Sequence, residues 1–175
     1  HWQSVTMLRF EPLPAFSDNY IWMLSSSAAR AAVVVDPGEA APVFSALDLH
    51  GFELSAILIT HHHGDHVGGV RDLLESRRVP VFGPEKEPID GVDQPVGGGS
   101  TVDLRDLGIE LDVIDVPGHT AGHVAYIAPG FALVGFGISA AYPLGVSAIA
   151  ALDDEYESSN IAIMATVALG GFLVG

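Results

Sequence analysis

The chain has 175 residues, with 22 acidic and 7 basic side chains, a formal charge of −15 and no cysteine. The acidic excess excludes an ordinary nucleic-acid binder, which needs a basic surface against phosphate. The absence of cysteine excludes a disulfide scaffold, a zinc ribbon and a thiol nucleophile, and matches a reducing cytoplasm. At this length a single domain over residues 1–175 is expected. Residues 1–6, ahead of Met7, read as a cloning remnant, and His1 to Phe10 has no apolar run of the kind a signal peptide carries.

Tyr20–Leu24 and Ala31–Val35 are apolar runs of strand length, separated by a serine-rich turn at Ser25–Ser27. Asp36-Pro37-Gly38 stops the second run. Glu39–His50 reads as a helix with Val43, Phe44 and Leu47 on one face, Gly51 as its stop and His50 near its negative end. Leu54–Thr60 is a buried-strand pattern. A helix is expected from Val67 to Arg77, with Val70, Leu73 and Leu74 inward, then a short strand at Pro80–Pro84 and a loop region over Glu85–Ser100. Ile109–Val116, His123–Ala128 and Phe131–Val134 complete the strands. All seven basic residues lie at or before Arg105, and Val116–Leu152 has no Asp, Glu, Lys or Arg. A membrane helix needs about 20 apolar residues. The uncharged run Phe131–Leu152 is long enough, but Gly135, Gly137, Pro143 and Gly145 interrupt it, so a buried strand and loop is the better reading.

The chemistry concentrates in Thr60-His61-His62-His63-Gly64-Asp65-His66, directly after a buried strand. His61 and His63 are two apart and point the same way in extended backbone. Gly64 lets the chain turn, so that Asp65 and His66 face a neighbouring point. Four imidazole and carboxylate ligands within six residues suit one or two borderline metals such as Zn2+, with iron or manganese as alternatives. His62 points elsewhere, toward solvent or behind the ligands. A second strand end carries Pro117-Gly118-His119-Thr120-Ala121-Gly122-His123, where His119 is placed to be a third imidazole and His123 reads as a packing or hydrogen-bonding residue.

These two motifs resemble those of the metallo-β-lactamase superfamily. Within it, Leu13-Pro14-Ala15-Phe16-Ser17-Asp18-Asn19-Tyr20-Ile21-Trp22 is similar to the N-terminus of glyoxalase II, the hydroxyacylglutathione hydrolases, and Val35-Asp36-Pro37-Gly38 and Val81-Phe82-Gly83-Pro84 agree. The similarity runs from about Met7 to Pro129. It implies an α+β fold, an αββα four-layer sandwich with a two-metal site on one edge. It implies His61, His63 and His119 on one metal, Asp65 and His66 on the second. It also implies cleavage of S-(2-hydroxyacyl)glutathione thioesters, a small-molecule substrate, by hydroxide held on zinc.

The tail departs from the family. Phe136 stands where the family has the aspartate that bridges its two metals, and residues 131–175 are divergent. Asp154-Glu155-Tyr156 resembles the family's His-Glu-Tyr motif, which makes Asp154 a candidate ligand in place of that histidine and Tyr156 a candidate glutathione contact. The family's C-terminal helical domain has no counterpart in the sequence. Two rival readings therefore stand beside the thioester hydrolase. One is another enzyme of this fold, either a lactone or β-lactam hydrolase or a mononuclear-iron persulfide dioxygenase. The other is a catalytically impaired metal-binding relative.

Overall fold

The computed structural model describes residues 8–128 and the backbone of 131–133. The elements in chain order are β1 (Leu8–Ala15), β2 (Asn19–Ser26), β3 (Ala31–Val35), α1 (Ala40–His50), β4 (Glu53–Leu58), α2 (Gly64–Val67) and α3 (Val70–Ser76). They continue with β5 (Val81–Pro84), β6 (Gln94–Val96), β7 (Thr101–Leu104), β8 (Ile109–Asp115), β9 (Val124–Ala128) and β10 (Phe131–Leu133). One six-stranded sheet runs β1-β2-β3-β4-β5-β6, antiparallel through β3 and parallel from β3 to β6. The other is antiparallel, in the order β10-β9-β8-β7.

The alternation of side chains along β3 divides the core in two. Ala32 and Val34 face α1 and α3, where they join Val43, Leu47, Val70 and Leu73. Ala31, Val33 and Val35 face the second sheet and meet Val102, Leu111, Val113 and Tyr126. A strand buried on both faces has no polar alternation to show, which is why Ala31–Val35 reads as a continuous apolar run. Helix, sheet and sheet are three layers of the expected sandwich. The expected outer helical layer on the second sheet falls outside the described residues.

Four local differences from the sequence expectation have physical causes. The strand β7 is one, an edge strand whose four residues, with only Val102 and Leu104 buried, are too short to stand out as an alternating run. The strand β1 was not expected. Its residues Arg9, Glu11 and two prolines carry little apolar signal, yet it pairs with β2 at eight positions from Leu8↔Ser26 to Ala15↔Asn19. The Glu85–Ser100 region contains β6, a three-residue strand on the sheet's edge, where Pro95 is tolerated. The expected helix Val67–Arg77 is divided at Gly68-Gly69. A Cβ at Gly68 would lie 2.6 Å from the Gly38 carbonyl oxygen, and one at Gly69 would lie 2.5 Å from the Glu39 carbonyl carbon. The chain there crosses the Pro37–Glu39 turn at backbone contact, and Gly69 N–H donates to the Pro37 carbonyl at 2.8 Å. No helix among the described residues is long and apolar enough to cross a membrane. The run Phe131–Leu152 lies outside the described residues beyond Leu133.

Candidate metal centre

Parallel strands bring their C-terminal ends to one edge, and the polar residues that follow them collect there. Asp36 follows β3, the His61–His66 loop follows β4, and Glu87 follows β5. His119 comes from the connection between β8 and β9 of the other sheet. Two contacts tie the sheets together beneath the site. The Val124 amide donates to the Thr60 carbonyl at 3.0 Å, and the buried Tyr126 hydroxyl donates to the Ile59 carbonyl at 2.9 Å.

Five imidazoles converge. The His61 ring lies 4.8 Å from His63, 4.1 Å from His66, 4.8 Å from His119 and 4.5 Å from His123, centre to centre. His61, His63 and His119 each offer a ring nitrogen within 4.8 Å of the others, and His119 Nε2 is 3.0 Å from His63 Nδ1. His61 is fully buried, His63 half-buried and His119 exposed, so the cluster opens to solvent on the His119 side.

The proton positions follow from one carboxylate. Asp36 is buried, with φ at +52°, a left-handed conformation that aspartate tolerates better than most residues. Its Oδ1 accepts the Thr60 amide at 2.7 Å and its Oδ2 accepts the Thr60 hydroxyl at 2.6 Å. A carboxylate only accepts, so the Thr60 hydroxyl proton is committed to Asp36. The contact of Thr60 Oγ1 with His61 Nδ1, at 3.0 Å, then has His61 donating. That leaves the lone pair on His61 Nε2, a buried atom with no hydrogen-bond partner among the described residues. A neutral imidazole with its second nitrogen held by an acceptor is the usual form of a metal-ligating histidine. The 3.0 Å between His119 Nε2 and His63 Nδ1 is also close to a tetrahedral zinc donor set, whose edges with bonds of about 2.0–2.1 Å are about 3.3 Å. The residues present therefore fit a divalent metal.

The same Asp36 Oδ2 lies 3.1 Å from His66 Nδ1, which turns His66 Nε2 toward Asp65 Oδ2 at 3.3 Å. Asp65 is half exposed and is held by the Asn19 amide group, which donates to its Oδ2 at 3.2 Å and to its carbonyl at 3.3 Å. The pair Asp65 and His66 thus adjoins the tri-imidazole cluster. Asp36, His61 and His66 also share a spacing within 4.8 Å, but both Asp36 oxygens are already committed to Thr60.

The electrostatics separate two kinds of histidine. Burial, reinforced by repulsion from four neighbouring imidazoles, pushes His61 down to about 2. Burial is also the main cause that brings His123 down to about 4, and it lowers His119, with His63 next in effect. For His66 burial acts downward, but the hydrogen bond and charge of Asp36, with Asp65 behind them, outweigh it and raise its pKa. Glu87 is subject to an upward push from burial. Hydrogen bonds from Thr120, His62 and Gly122 outweigh it and hold the carboxyl below its ordinary range.

The structure brings together five sequence-predicted site residues, His61, His63, His119, Asp65 and His66. Asp154 and Tyr156, and Phe136 with them, lie outside the described residues. His123 is buried and stacks on His61 with an interplanar angle of 22°. His62 is about half exposed and lies against Glu87. His50 sits at the end of α1, 3.2 Å from Glu11. Sequence reasoning missed the supporting roles of Asp36, Thr60, Asn19 and Glu87. Asp36 carried a signal, an acidic residue closing an all-apolar strand, but it read as part of a turn.

A family model of the metallo-beta-lactamase superfamily matches residues 19–135. The hydroxyacylglutathione hydrolase of Halorhodospira halophila is 52% identical over 124 residues, covering 71% of this chain and 48% of that protein. That of Cupriavidus metallidurans is 53% identical over 128 residues, covering 69% and 47%. The chain spans about half the length of these relatives. Among solved structures, the BLEG-1 B3 metallo-beta-lactamase superposes with a TM-score of 0.63 at 21% identity, covering 71% of this chain and 70% of that one. ETHE1 from Myxococcus xanthus gives 0.59 at 22% identity, covering 72% and 55%. At these identities the structural likeness speaks for the fold alone.

Proposed function

Since the chain belongs to the metallo-β-lactamase superfamily, we propose that it is a metal-dependent hydrolase of S-(2-hydroxyacyl)glutathione-type thioesters. The observation that carries this reading is the tri-imidazole cluster of His61, His63 and His119, in which the buried His61 Nε2 has no hydrogen-bond partner of its own among the described residues. The choice of substrate rests on the hydroxyacylglutathione hydrolases, which match at about half identity over the segment that holds this cluster.

His61, His63 and His119 would hold the first ion, and Asp65 and His66 a second. Bound zinc supplies Lewis acidity toward a thioester carbonyl and acidifies water to a pKa of about 7. The chain's residues make the site ready for it. Asp36, through Thr60, keeps the Nε2 lone pair of His61 free. Asp36 also holds His66, and Asn19 holds Asp65. The exposed His119 leaves the side from which a substrate enters. A thiolate is a good leaving group, so the residues need not include a general acid. We assign Tyr156 to glutathione contact and Asp154 to the second ion, and we treat residues 1–175 as one domain working in the cytoplasm, consistent with the absence of cysteine.

The test is zinc content and thioesterase activity of the chain beside a His61→Ala, His63→Ala double variant. The reading predicts bound zinc and thioester cleavage in the first and loss of both in the second. Equal activity in the two would sink it. One iron per chain with oxygen consumption would point instead to oxygenase chemistry.

A further inference from the structure

The turn after β5 joins the two loops that carry the imidazoles. Glu87 is its centre, with a side chain only 5% exposed although the turn lies on the surface. Its Oε2 accepts the His62 amide at 2.8 Å and lies 2.7 Å from His62 Nδ1. Its Oε1 accepts the Gly122 amide at 3.0 Å and the Thr120 hydroxyl. His62 sits between two of the proposed ligands, and Thr120 directly follows the third. Each carboxylate oxygen therefore holds one ligand loop. The neighbouring Lys86 binds Asp115, the last residue of β8, whose Oδ1 accepts the Gly98 amide at 2.9 Å. The Asp115–Gly122 segment is thus gripped at both ends by consecutive side chains of one turn. The fit is close, since a Cβ at Gly122 would lie 2.5 Å from Glu87 Cγ and 3.0 Å from Lys86 Cβ.

A tri-imidazole site built from two sheets works only if the loops are held to within about half an ångström. Five of the six donor and acceptor links just described run through the Lys86–Glu87 turn. A carboxylate suits the task because all four of its partners present N–H or O–H groups, and only an acceptor-only group satisfies them all. Resting on the metal-centre reading above, we propose that Glu87 is a positioning residue that sets the metal affinity of the His61, His63 and His119 site by clamping the His119 loop to the His61–His66 loop. Glu87 does not touch the metal in this account.

The experiment is a zinc titration of the 175-residue chain against a competing chromophoric chelator, repeated for Glu87→Gln, Thr120→Val and Asp93→Ala. Glutamine keeps the shape but turns an NH2 group toward donors on one side. The expected result is a ten- to hundredfold weaker first zinc in E87Q, the range typical of groups that orient metal ligands. Thr120→Val removes one donor of four, should weaken zinc about three- to tenfold, and covers the case in which E87Q fails to fold. Asp93 accepts the Val81 amide at 2.9 Å away from the histidines. Asp93→Ala removes that acceptor, should lower stability and should leave zinc affinity unchanged, which a generally loosened fold would not do.

A readout without metal is hydrogen exchange at the His62 and Gly122 amides. Both should exchange faster in E87Q or, if only one loop is released, one of them should. Zinc affinity within twofold of the unsubstituted chain in both E87Q and T120V overturns the clamp, and so does an equal loss in D93A. If the His61→Ala, His63→Ala variant keeps its zinc, the metal-centre reading fails and the clamp fails with it. If that variant loses zinc while E87Q keeps it, the clamp alone is wrong.

Discussion

Asp36 shows how much one side chain settles at this site. It satisfies the amide and hydroxyl of Thr60, fixes His61 through that hydroxyl, and faces His66 directly. Replacing it by alanine leaves two buried donors on Thr60 unsatisfied, at about 1–3 kcal/mol each. Asp36→Ala should therefore lose about 2–6 kcal/mol of stability in urea unfolding without metal, and bind zinc at least tenfold more weakly. Thr60→Val should weaken zinc less and spare the His66 contact. A stability loss below about 1 kcal/mol in Asp36→Ala would contradict the hydrogen-bond assignment. The clustering of His61, His63, His66 and His119 was legible in the sequence because a histidine-rich turn after an apolar strand, matched by a second histidine at another strand end, draws attention to one edge of the sheets. Their supports were not, since Asp36, Asn19 and Glu87 act across 24, 46 and 35 residues of sequence separation, which no local pattern encodes.

At the scale of elements, the apolar runs foretold β2, β3, α1, β4, β8 and β9 because each buries a continuous or periodic face. The edge strands β1 and β6 were invisible for the opposite reason. They bury few side chains and are held chiefly by backbone pairing, and β1 shows only Leu13 and Ala15 buried. The break between α2 and α3 was equally hidden, because it is imposed from outside the helix by the Pro37–Glu39 turn. Gly69→Ala tests that cause. Its methyl would sit between the Glu39 carbonyl carbon at 2.5 Å and the Pro37 oxygen at 2.7 Å, with backbone on both sides and no flexible side chain to yield. Forced overpacking of this kind costs about 1–3 kcal/mol. The variant should show a lowered urea midpoint, and an unchanged midpoint would mean that the crossing is looser than its geometry indicates.

For the molecule as a whole, the charge of −15 conceals two unlike regions, a mixed-charge segment through Asp115 that holds β1 to β8 and the His61–His66 loop, and a run from Val116 to Leu152 without Asp, Glu, Lys or Arg that supplies His119, β9 and β10. The buried imidazoles also give the metal-free fold a definite response to acid. Unfolded histidines titrate near 6.5, whereas the fold holds His61 at about 2 and His123 at about 4. Between pH 6.5 and 4 the unfolded chain binds protons that these two refuse, so each removes up to about 1.4 kcal/mol of stability per unit fall in pH. His66, raised in the fold, contributes in the opposite sense: its stabilisation is present below 6.5 and fades as pH rises through its raised value. The urea midpoint of the metal-free chain should drop from pH 7 to pH 5, and a constant or rising midpoint would show that the imidazoles are not buried uncharged. The central claim, that three imidazoles from two sheets form a metal-dependent hydrolytic centre, is tested most directly by cleavage of an S-(2-hydroxyacyl)glutathione thioester as zinc is removed by chelation and restored. The account predicts that activity disappears with zinc, returns on its addition, and never returns in the His61→Ala, His63→Ala variant. Cleavage that persists without metal, or that returns in the double variant, would contradict it.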